Sequence, residues 1–282
     1  MGPGTVGILQ RSAVTVPVFI NCRDRLAPLQ ELVSWLERAG VEEIYFLDND
    51  SAFEPLLEYY RTTPHTVVRM QENFGKHALW IAPGVIDLVG DRPFVYTDPD
   101  VVPSPECPLD ALDHFAELLE RYPGVTKAGF GLRIDDIPEH YPHRDAVIAW
   151  EGQMWQWPLG DGNYFAAIDS TFALHRPGAG LRPSEAVRTG PPYLARHTTW
   201  YVDMDSPTEE DLFYSSRPGT RGNWNKDELP DWLAEAHEVM LTAKPSRLRM
   251  AVRRAKLWPY LHWTLRGRPL PRGLAWASRW AP

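Results

Sequence analysis

The feature that most constrains the fold is the alternation of strand and helix patterns through the first 122 residues. Short apolar runs rich in β-branched and aromatic residues predict four strands, at residues 14–20, 44–47, 67–70 and 94–97. Apolar residues at helical spacing predict helices after them, at residues 28–36, 54–60, 77–88 and 109–122. Parallel strands need a crossover, which is usually a helix. We therefore predict an α/β, Rossmann-like fold, with a mostly parallel sheet flanked by helices.

Composition indicates a water-soluble globular protein. The 282 residues carry a net charge of −8 and are 44% hydrophobic, which is enough for one large α/β domain or two small ones. No apolar run approaches the ~20 residues of a membrane span, and the first ten residues lack the basic and apolar regions of a signal peptide. The two cysteines, Cys22 and Cys107, need no pairing. A cytoplasmic location is expected.

The positive charge is concentrated at one end of the chain. Residues 244–282 hold ten of the 29 Lys and Arg residues and none of the 37 Asp and Glu residues. We therefore divide the chain into a domain at 1–243 and a basic, Trp-rich helical extension at 244–282. The extension also contains five large aromatic residues, Trp258, Tyr260, Trp263, Trp276 and Trp280.

Two interpretations of this extension stay open. Basic and aromatic residues together suit an anionic membrane surface, which would make the protein peripheral at the inner face of the membrane. Alternatively, a helix pair packs on the acidic body with its tryptophans in the core. Single-stranded nucleic acid would also suit such a composition, but we do not expect a nucleic-acid partner.

Two aspartates follow the fourth predicted strand. Pro99 and Pro103 prevent the ladder from continuing, so Asp98 and Asp100 lie where the strand ends. In open α/β sheets, ligands bind at this edge. Two carboxylates there suit Mg²⁺ or Mn²⁺, which substrate phosphates help to hold. The triplet alone is not decisive, because Asp-x-Asp also occurs at 48–50 and 203–205.

Polar residues also follow the other three predicted strands. They are Asn21, Arg23 and Asp24 after the first, Asp48, Asn49, Asp50 and Ser51 after the second, and Asn73, Gly75, Lys76 and His77 after the third. Because the carboxyl ends of parallel strands share one edge, these residues define a single crevice.

In these segments the chain resembles the GT-A glycosyltransferases, specifically the bacterial family-2-like members. The resemblance covers roughly residues 14 to 203, and the order and spacing of its motifs make it more specific than one triplet. The matching segments are Pro-Val-Phe-Ile-Asn at 17–21, Phe-Leu-Asp-Asn-Asp-Ser at 46–51, Glu-Asn-Phe-Gly-Lys-His at 72–77, and Tyr-Thr-Asp-Pro-Asp at 96–100.

The resemblance implies a GT-A-like fold and a nucleotide-sugar donor, with UDP as the expected nucleotide and GDP as the next. It assigns the metal, Mn²⁺ or Mg²⁺, to Asp98 and Asp100. It assigns nucleotide binding to six residues, Asn21, Arg23, Asp48, Asn73, Lys76 and Asp98.

Members of this family often add a late histidine to the metal ligands. His197 is the candidate here, and the neighbouring Arg196 would contact a phosphate. The alternative is a structural histidine, because imidazole suits Mn²⁺ less well than carboxylates do.

Residues 160–172 resemble the acceptor side of such a site. An inverting enzyme needs a carboxylate to take the proton of the acceptor hydroxyl, and Asp169 and Asp161 are the candidates, with Asp169 preferred. The family's usual Glu-Asp pair ahead of the acceptor helix is not evident, so inverting and retaining reactions both remain open. Trp155 and Trp157 are candidates for stacking on an acceptor sugar, although an aromatic cluster also suits a core.

The predicted function is therefore a metal-dependent glycosyltransferase of the hexosyltransferase type. It would move a sugar from a nucleotide diphosphate to a hydroxyl of a glycan, a lipid-linked acceptor or a small molecule. Two alternatives remain: another nucleotide-sugar enzyme, such as a hydrolase or nucleotidyltransferase, and a non-catalytic sugar- or membrane-binding module on the same scaffold.

Overall fold

The computed structural model describes residues 16–180, 185–218 and 247–274. The predictions for the first ten residues, for Trp276 and Trp280, and for a boundary at 243/244 lie outside these residues.

The described residues form eleven strands and seven α-helices. The strands are β1 Val18–Cys22, β2 Ile44–Asn49, β3 Thr66–Met70, β4 Phe94–Thr97, β5 Val101–Pro103, β6 Lys127–Gly129, β7 Gly131–Leu132, β8 Tyr164–Phe165, β9 Ala173–His175, β10 Ala186–Arg188 and β11 Leu194–His197. The helices are α1 Ala27–Arg38, α2 Glu54–Thr62, α3 Ala78–Ile81, α4 Ala111–Arg121, α5 Arg144–Glu151, α6 Glu209–Ser216 and α7 Arg247–Thr264.

Eight of these strands form one sheet in the order β3-β2-β1-β4-β9-β6-β10-β8. Strands β1 to β4 are mutually parallel, as predicted. Beyond β4 the sheet is mixed, because β9 runs antiparallel to both β4 and β6, and β8 runs antiparallel to β10. These later strands are only two or three residues long, too short for a clear sequence pattern. Four of the seven strand pairings in this sheet are parallel, including β6 with β10, so the sheet is more mixed than predicted only in its later half.

A second sheet of three strands, β5-β11-β7, lies beside the first. Strand β11 pairs antiparallel with β5, and His197 is opposite Val101 in the register. The residue before Val101 is Asp100. This pairing therefore brings the late histidine to the second aspartate of the triplet.

The large sheet buries side chains on both faces. In β1, Val18 and Ile20 pack in the main core with Leu29 and Leu32 of α1, whereas Phe19 packs in a second cluster on the other face. The second cluster includes Ala78 and Leu79 of α3. Both faces are covered, as an α/β fold requires.

One predicted helix is wrong. Residues 77–88 form a 3₁₀ turn, the single turn of α3 and a second 3₁₀ turn at Ile86–Leu88 instead of one helix. Pro83 and Gly84 separate these pieces, and Gly84 adopts a φ of 75° that ends a helix. Similarly, the strand predicted from residue 14 begins at Val18, directly after Pro17.

Helix α7 packs on the body of the protein through leucines. Leu257 is fully buried and Leu265 is 6% exposed, and the Gly124 N–H donates to the Leu265 carbonyl oxygen at 3.1 Å. Trp258, in contrast, is 61% exposed, so it lies outside the core that one interpretation of the extension assigned to its tryptophans. No helix in the described ranges is both long enough and apolar enough to span a bilayer.

A lysine is buried at the start of β6. Lys127 is 2% exposed and lies opposite His175 of β9 in the register. Burial lowers the pKa of Lys127 to about 8, with the charge of Asp169 opposing this and that of Arg188 adding to it. Since the unfolded chain holds this proton more tightly, the buried ammonium destabilises the fold at pH 7, and this cost disappears as the pH rises from about 8 toward 10.5.

We expect Lys127→Met to stabilise the protein at pH 7 by at most about 3 kcal/mol, the free energy that corresponds to the pKa shift from 10.5 to about 8. The wild type should gain stability between pH 8 and 10, whereas the variant should not. Urea unfolding at the two pH values measures both effects, with Arg38→Met as a matched removal of an exposed cation. A variant less stable than the wild type at pH 7 would contradict the prediction.

Candidate active site

Two asparagines fold the loop after β3 across the ends of β1 and β2. Asn21 and Asn49 each donate an Nδ2–H to the carbonyl oxygen of Gly75, at 3.3 and 3.0 Å. The Asn49 Oδ1 also accepts from the Phe74 N–H at 2.7 Å. Gly75 has a φ of 71°, in the left-handed region that favours glycine. Within the loop, Asn73 accepts from the Gly75 N–H at 2.8 Å. The loop therefore forms one wall of the crevice.

Asp48 lies buried in β2 at the bottom of this crevice. Its Oδ2 accepts from the Arg69 Nε–H at 3.0 Å, while its Oδ1 has no hydrogen-bond partner. Burial raises the pKa of Asp48, although Ser51 and Arg69 oppose this. A buried acceptor without a partner is uncommon in folded proteins. Such an atom suits a donor group of a ligand.

Asp98 is held from the segment before β9. The Ser170 hydroxyl donates to the Asp98 Oδ2 at 2.5 Å, and the Asp98 N–H donates to the Ser170 carbonyl oxygen at 3.1 Å. Burial raises the pKa of Asp98 to about 8, and the neighbouring Asp100 adds to this, against the hydrogen bonds of Ser170 and Asn21. At pH 7 the Asp98 carboxyl is therefore mostly protonated, and a cation bound nearby would favour its ionised form.

Asp100 is held from the segment after β11. The Thr199 hydroxyl donates to the Asp100 Oδ2 at 2.8 Å, and the Thr198 N–H donates to the Asp100 carbonyl oxygen at 2.8 Å. The Nδ1 of His197 lies 3.7 Å from the same Oδ2 and has no hydrogen-bond partner. Its ring stacks on Trp200, with centroids 4.9 Å apart. The structure therefore places His197 beside Asp100.

These residues do not form a closed metal centre. In the described parts of the chain, no three His, Cys, Asp or Glu side chains come together closely enough to hold a metal ion. Mg²⁺ and Mn²⁺, however, are commonly held by one or two protein ligands together with substrate phosphates. The unpartnered His197 nitrogen beside Asp100, and the raised pKa of Asp98, which a bound cation would lower, fit an open site of that kind.

Asp169 faces the loop after β3. Its carboxylate contacts the Lys76 ammonium and lies 3.2 Å from the Nε2 of His77. Burial acts to raise the pKa of Asp169, but the hydrogen bonds and charges of Lys76 and His77 outweigh it and hold the pKa below its usual range. The Tyr96 hydroxyl fixes this part of the loop by donating to the Lys76 carbonyl oxygen at 2.8 Å. Asp169 thus lies at the same edge as Asp98.

Asp161 has different surroundings from Asp169. Its Oδ2 accepts from the guanidinium of Arg121 and from the hydroxyl of Tyr122, both at 2.8 Å and both at the end of α4. Burial acts to raise the pKa of Asp161, but these bonds and one from the Asn163 N–H hold the pKa below its usual range. The hydrogen bonds of Asp161 are made with α4 and its own turn, not with the loop after β3.

Two further predicted site residues are engaged elsewhere. The guanidinium of Arg196, proposed for a phosphate, donates to Asp136 at 3.0 and 2.5 Å. Trp157 is 5% exposed and packs in the main core, so it presents no face to an acceptor sugar. Its burial favours the core alternative, and the acceptor role of Trp157 stays a prediction. Trp155 is half-buried and packs edge-on against Tyr164, with centroids 4.9 Å apart.

Helix α6 folds back onto the start of α1. The Glu210 Oε2 accepts from the N–H groups of Leu26 and Ala27, at 2.8 and 2.9 Å, and so satisfies free donors at the beginning of α1. Arg25 is buried between this carboxylate and that of Asp211, with 2.8 Å between its guanidinium and the Asp211 Oδ1. The first turn of α1 contains no acidic residue. Glu210 supplies the negative charge that a helix N-terminus favours.

The residues after α6 form hydrogen bonds with the segments that follow β1 and β2. The Arg217 guanidinium donates to the Asp24 carboxylate at 3.1 Å and to the Asp50 carbonyl oxygen at 2.9 Å. Arg23 donates one N–H to the Pro218 carbonyl oxygen at 2.7 Å, while its buried Nε has no partner. Part of the donor capacity of Arg23 is therefore engaged, and its role in nucleotide binding stays a prediction.

Sequence reasoning missed several residues of this site. Ser170 and Thr199, which hold the two aspartates, are each close in sequence to a residue that was predicted. Their hydroxyls were a usable signal, because buried carboxylates need donors. Glu210 and Arg217 gave no such signal, since they act on residues far away in the sequence.

Comparison with known proteins gives little further information. No family model matches the chain, and no curated protein matches it. Among the solved structures that resemble it is S. aureus TarS 1-349, with 9% sequence identity and a TM-score of 0.41. The match covers 89% of this chain and 80% of that chain. A similarity of this extent establishes neither a common fold nor a common activity.

Proposed function

We propose that this chain is a metal-dependent glycosyltransferase that uses a nucleotide-diphosphate sugar. The observation that carries the proposal is the convergence of three segments on the end of β4. There, Ser170 holds Asp98, Thr199 holds Asp100, and His197 lies beside Asp100 with a free ring nitrogen. The motifs that resemble GT-A glycosyltransferases lie along this same edge.

The nucleoside would occupy the crevice between β2 and the loop after β3. Asp48 offers a buried, unpartnered oxygen for a base or ribose donor. Asn21 likewise has an unpartnered Oδ1, and the Nε of Arg23 is free to donate. These three atoms supply both acceptors and a donor, which a nucleoside can match. UDP is our proposed nucleotide, by the resemblance of the motifs.

The metal would lie at Asp100 and His197, with Asp98 alongside. When bound, Mn²⁺ or Mg²⁺ neutralises charge that develops on the departing diphosphate. The protein's own contribution is to hold Asp100 in place through Thr199, and Asp98 in place through Ser170. Positioned charges of this kind act without reorganisation during the reaction.

Asp169 is our candidate for the group that takes the proton of the acceptor hydroxyl. Its pKa lies below the usual range, so the carboxylate is ionised at neutral pH and can accept a proton. Lys76 and His77 orient it toward the crevice edge. Asp161 is less suited to this role, because its hydrogen bonds hold it at the end of α4, whereas those of Asp169 hold it against the loop that borders the crevice.

Thermal shift with nucleotides tests the proposal directly. UDP, GDP, CDP and ADP are each added with and without Mn²⁺, and we expect one of them to raise the melting temperature only when the metal is present. A ligand at ~100 times its Kd stabilises by about 2.7 kcal/mol, or roughly 5 °C for a chain of this size.

Product analysis then separates the alternatives. Release of the nucleotide diphosphate that depends on an added acceptor supports transfer, whereas equal release without any acceptor indicates a hydrolase. The absence of any nucleotide-dependent shift would contradict the proposal and favour a non-catalytic binding module.

A further inference from the structure

The C-terminal helix has two sides with different surroundings. Leu257 and Leu265 are buried against the body, and the half-buried Leu261 packs with them. Each of these leucines is followed by a residue that we group as the outer ridge: Trp258 and His262 in the helix, and Arg266 just after its end.

The outer ridge has an exposed tryptophan, a half-buried histidine and an exposed arginine. The Trp258 ring, 61% exposed, lies on the His262 ring with centroids 4.6 Å apart. The Arg266 guanidinium donates to the His262 carbonyl oxygen at 3.0 Å and lies exposed at the end of the helix. Val252, which lies six residues before Trp258 in the same helix, is 46% exposed. Packing of the helix on the body explains why the leucines are buried, but it does not explain why Trp258 is exposed.

Charge distinguishes the C-terminal sequence, to which the outer ridge belongs, from the rest of the chain. Residues 244–282 carry ten Lys and Arg residues without any acidic residue, whereas the rest of the chain is strongly acidic. Just beyond the helix, the Arg268 guanidinium lies over the Trp263 ring, 5.8 Å from its centroid. The exposed Trp258 ring and the exposed side chains of Arg266 and Arg268 match the interface of an anionic bilayer, where tryptophan lies at headgroup level and arginine binds lipid charge.

We infer that the outer ridge docks this protein on an anionic membrane surface, with Trp258 in the headgroup region and Arg266 and Arg268 on lipid phosphates. The helix lies on the bilayer and does not cross it. This inference rests on the exposure and charge of the helix and does not depend on the proposed catalytic activity.

Co-sedimentation of the full chain with vesicles tests this docking. We compare vesicles of phosphatidylcholine alone with vesicles of phosphatidylcholine and phosphatidylglycerol in a 3:1 ratio, at constant salt. We expect binding to the anionic vesicles only. Trp258→Ala should weaken it roughly fivefold, because one interfacial aromatic anchor is lost. The double variant Arg266→Glu and Arg268→Glu should weaken it by at least roughly tenfold.

Matched variants on other surfaces serve as controls. Leu212→Ala removes an apolar side chain that is 57% exposed on α6, and Arg38→Glu reverses an exposed charge on α1. Neither should change vesicle binding. Because the substituted side chains are exposed, all variants should keep the melting temperature of the wild type.

Three outcomes would overturn the inference. The first is equal binding to neutral and anionic vesicles, or no binding to either. The second is an equal effect of Trp258→Ala and Leu212→Ala. The third is tighter binding to a single-stranded oligonucleotide than to the anionic vesicles, lost in the same variants, which would assign the surface to nucleic acid.

Discussion

Asp100→Asn should reduce the rate of sugar transfer by at least about 100-fold while leaving the fold intact. The loss is comparable to that of removing one preorganised charged or polar group from a transition-state site. The fold should survive because the asparagine amide oxygen can still accept the Thr199 hydroxyl that donates to the Asp100 Oδ2 at 2.8 Å. Release of the nucleotide diphosphate from the donor measures the rate, and thermal melting checks the fold.

A second Asp-x-Asp triplet provides the matched control. Asp205 lies in the triplet 203–205, on an exposed turn. Asp205→Asn makes the same chemical change and should leave the rate within about twofold, as for other surface substitutions. The metal-dependent nucleotide shift should also disappear in Asp100→Asn but persist in Asp205→Asn. Full activity in Asp100→Asn would remove the assignment of this carboxylate to the site.

Glu151→Ala should destabilise the protein by about 3–5 kcal/mol, the cost of leaving a buried charge without its partner. The Arg188 guanidinium lies 2.7 Å from the Glu151 carboxylate, and both side chains are 6% exposed. Arg188 also donates to the Ala167 carbonyl oxygen at 2.8 Å, two residues before Asp169. The pair therefore supports the segment that carries the proposed proton acceptor.

Urea unfolding measures this loss of stability, and two further variants serve as comparisons. Glu151→Gln keeps an acceptor for Arg188 and should cost less than Glu151→Ala. Glu54→Ala breaks an exposed pair with Arg61, whose side chains are 70% and 56% exposed, and should cost under about 1 kcal/mol. Equal losses in Glu151→Ala and Glu54→Ala would show that the buried pair is not needed for stability.

The parallel half of the sheet was predictable because its signals are local. Each of its strands is a run of apolar residues with helical spacing after it, and polar residues mark the end of each strand. The break at Pro83 and Gly84 was also visible in the sequence. Apolar residues at helical spacing on either side of the break favour one continuous helix, and that prediction is wrong.

The rest of the site depends on contacts that no local pattern encodes. His197 reaches Asp100 only because β11 pairs with β5, and Thr199 donates to Asp100 across 99 residues of sequence. The sequence points to residues of suitable chemistry around the aspartates. It does not show that they lie together, because their proximity depends on the second sheet. Trp157 illustrates the opposite case, since an aromatic residue near a crevice and one in a core look the same in sequence.

The carboxylate of Glu210 at the start of α1 also bears on the timing of biosynthesis. Chains fold progressively from the N-terminus as the ribosome releases them. Here the N-terminal donors of α1, at Leu26 and Ala27, receive their acceptor from a residue made 183 to 184 positions later. These donors therefore lack their protein acceptor until α6 has been synthesised, and the start of α1 reaches its final form only late in biosynthesis.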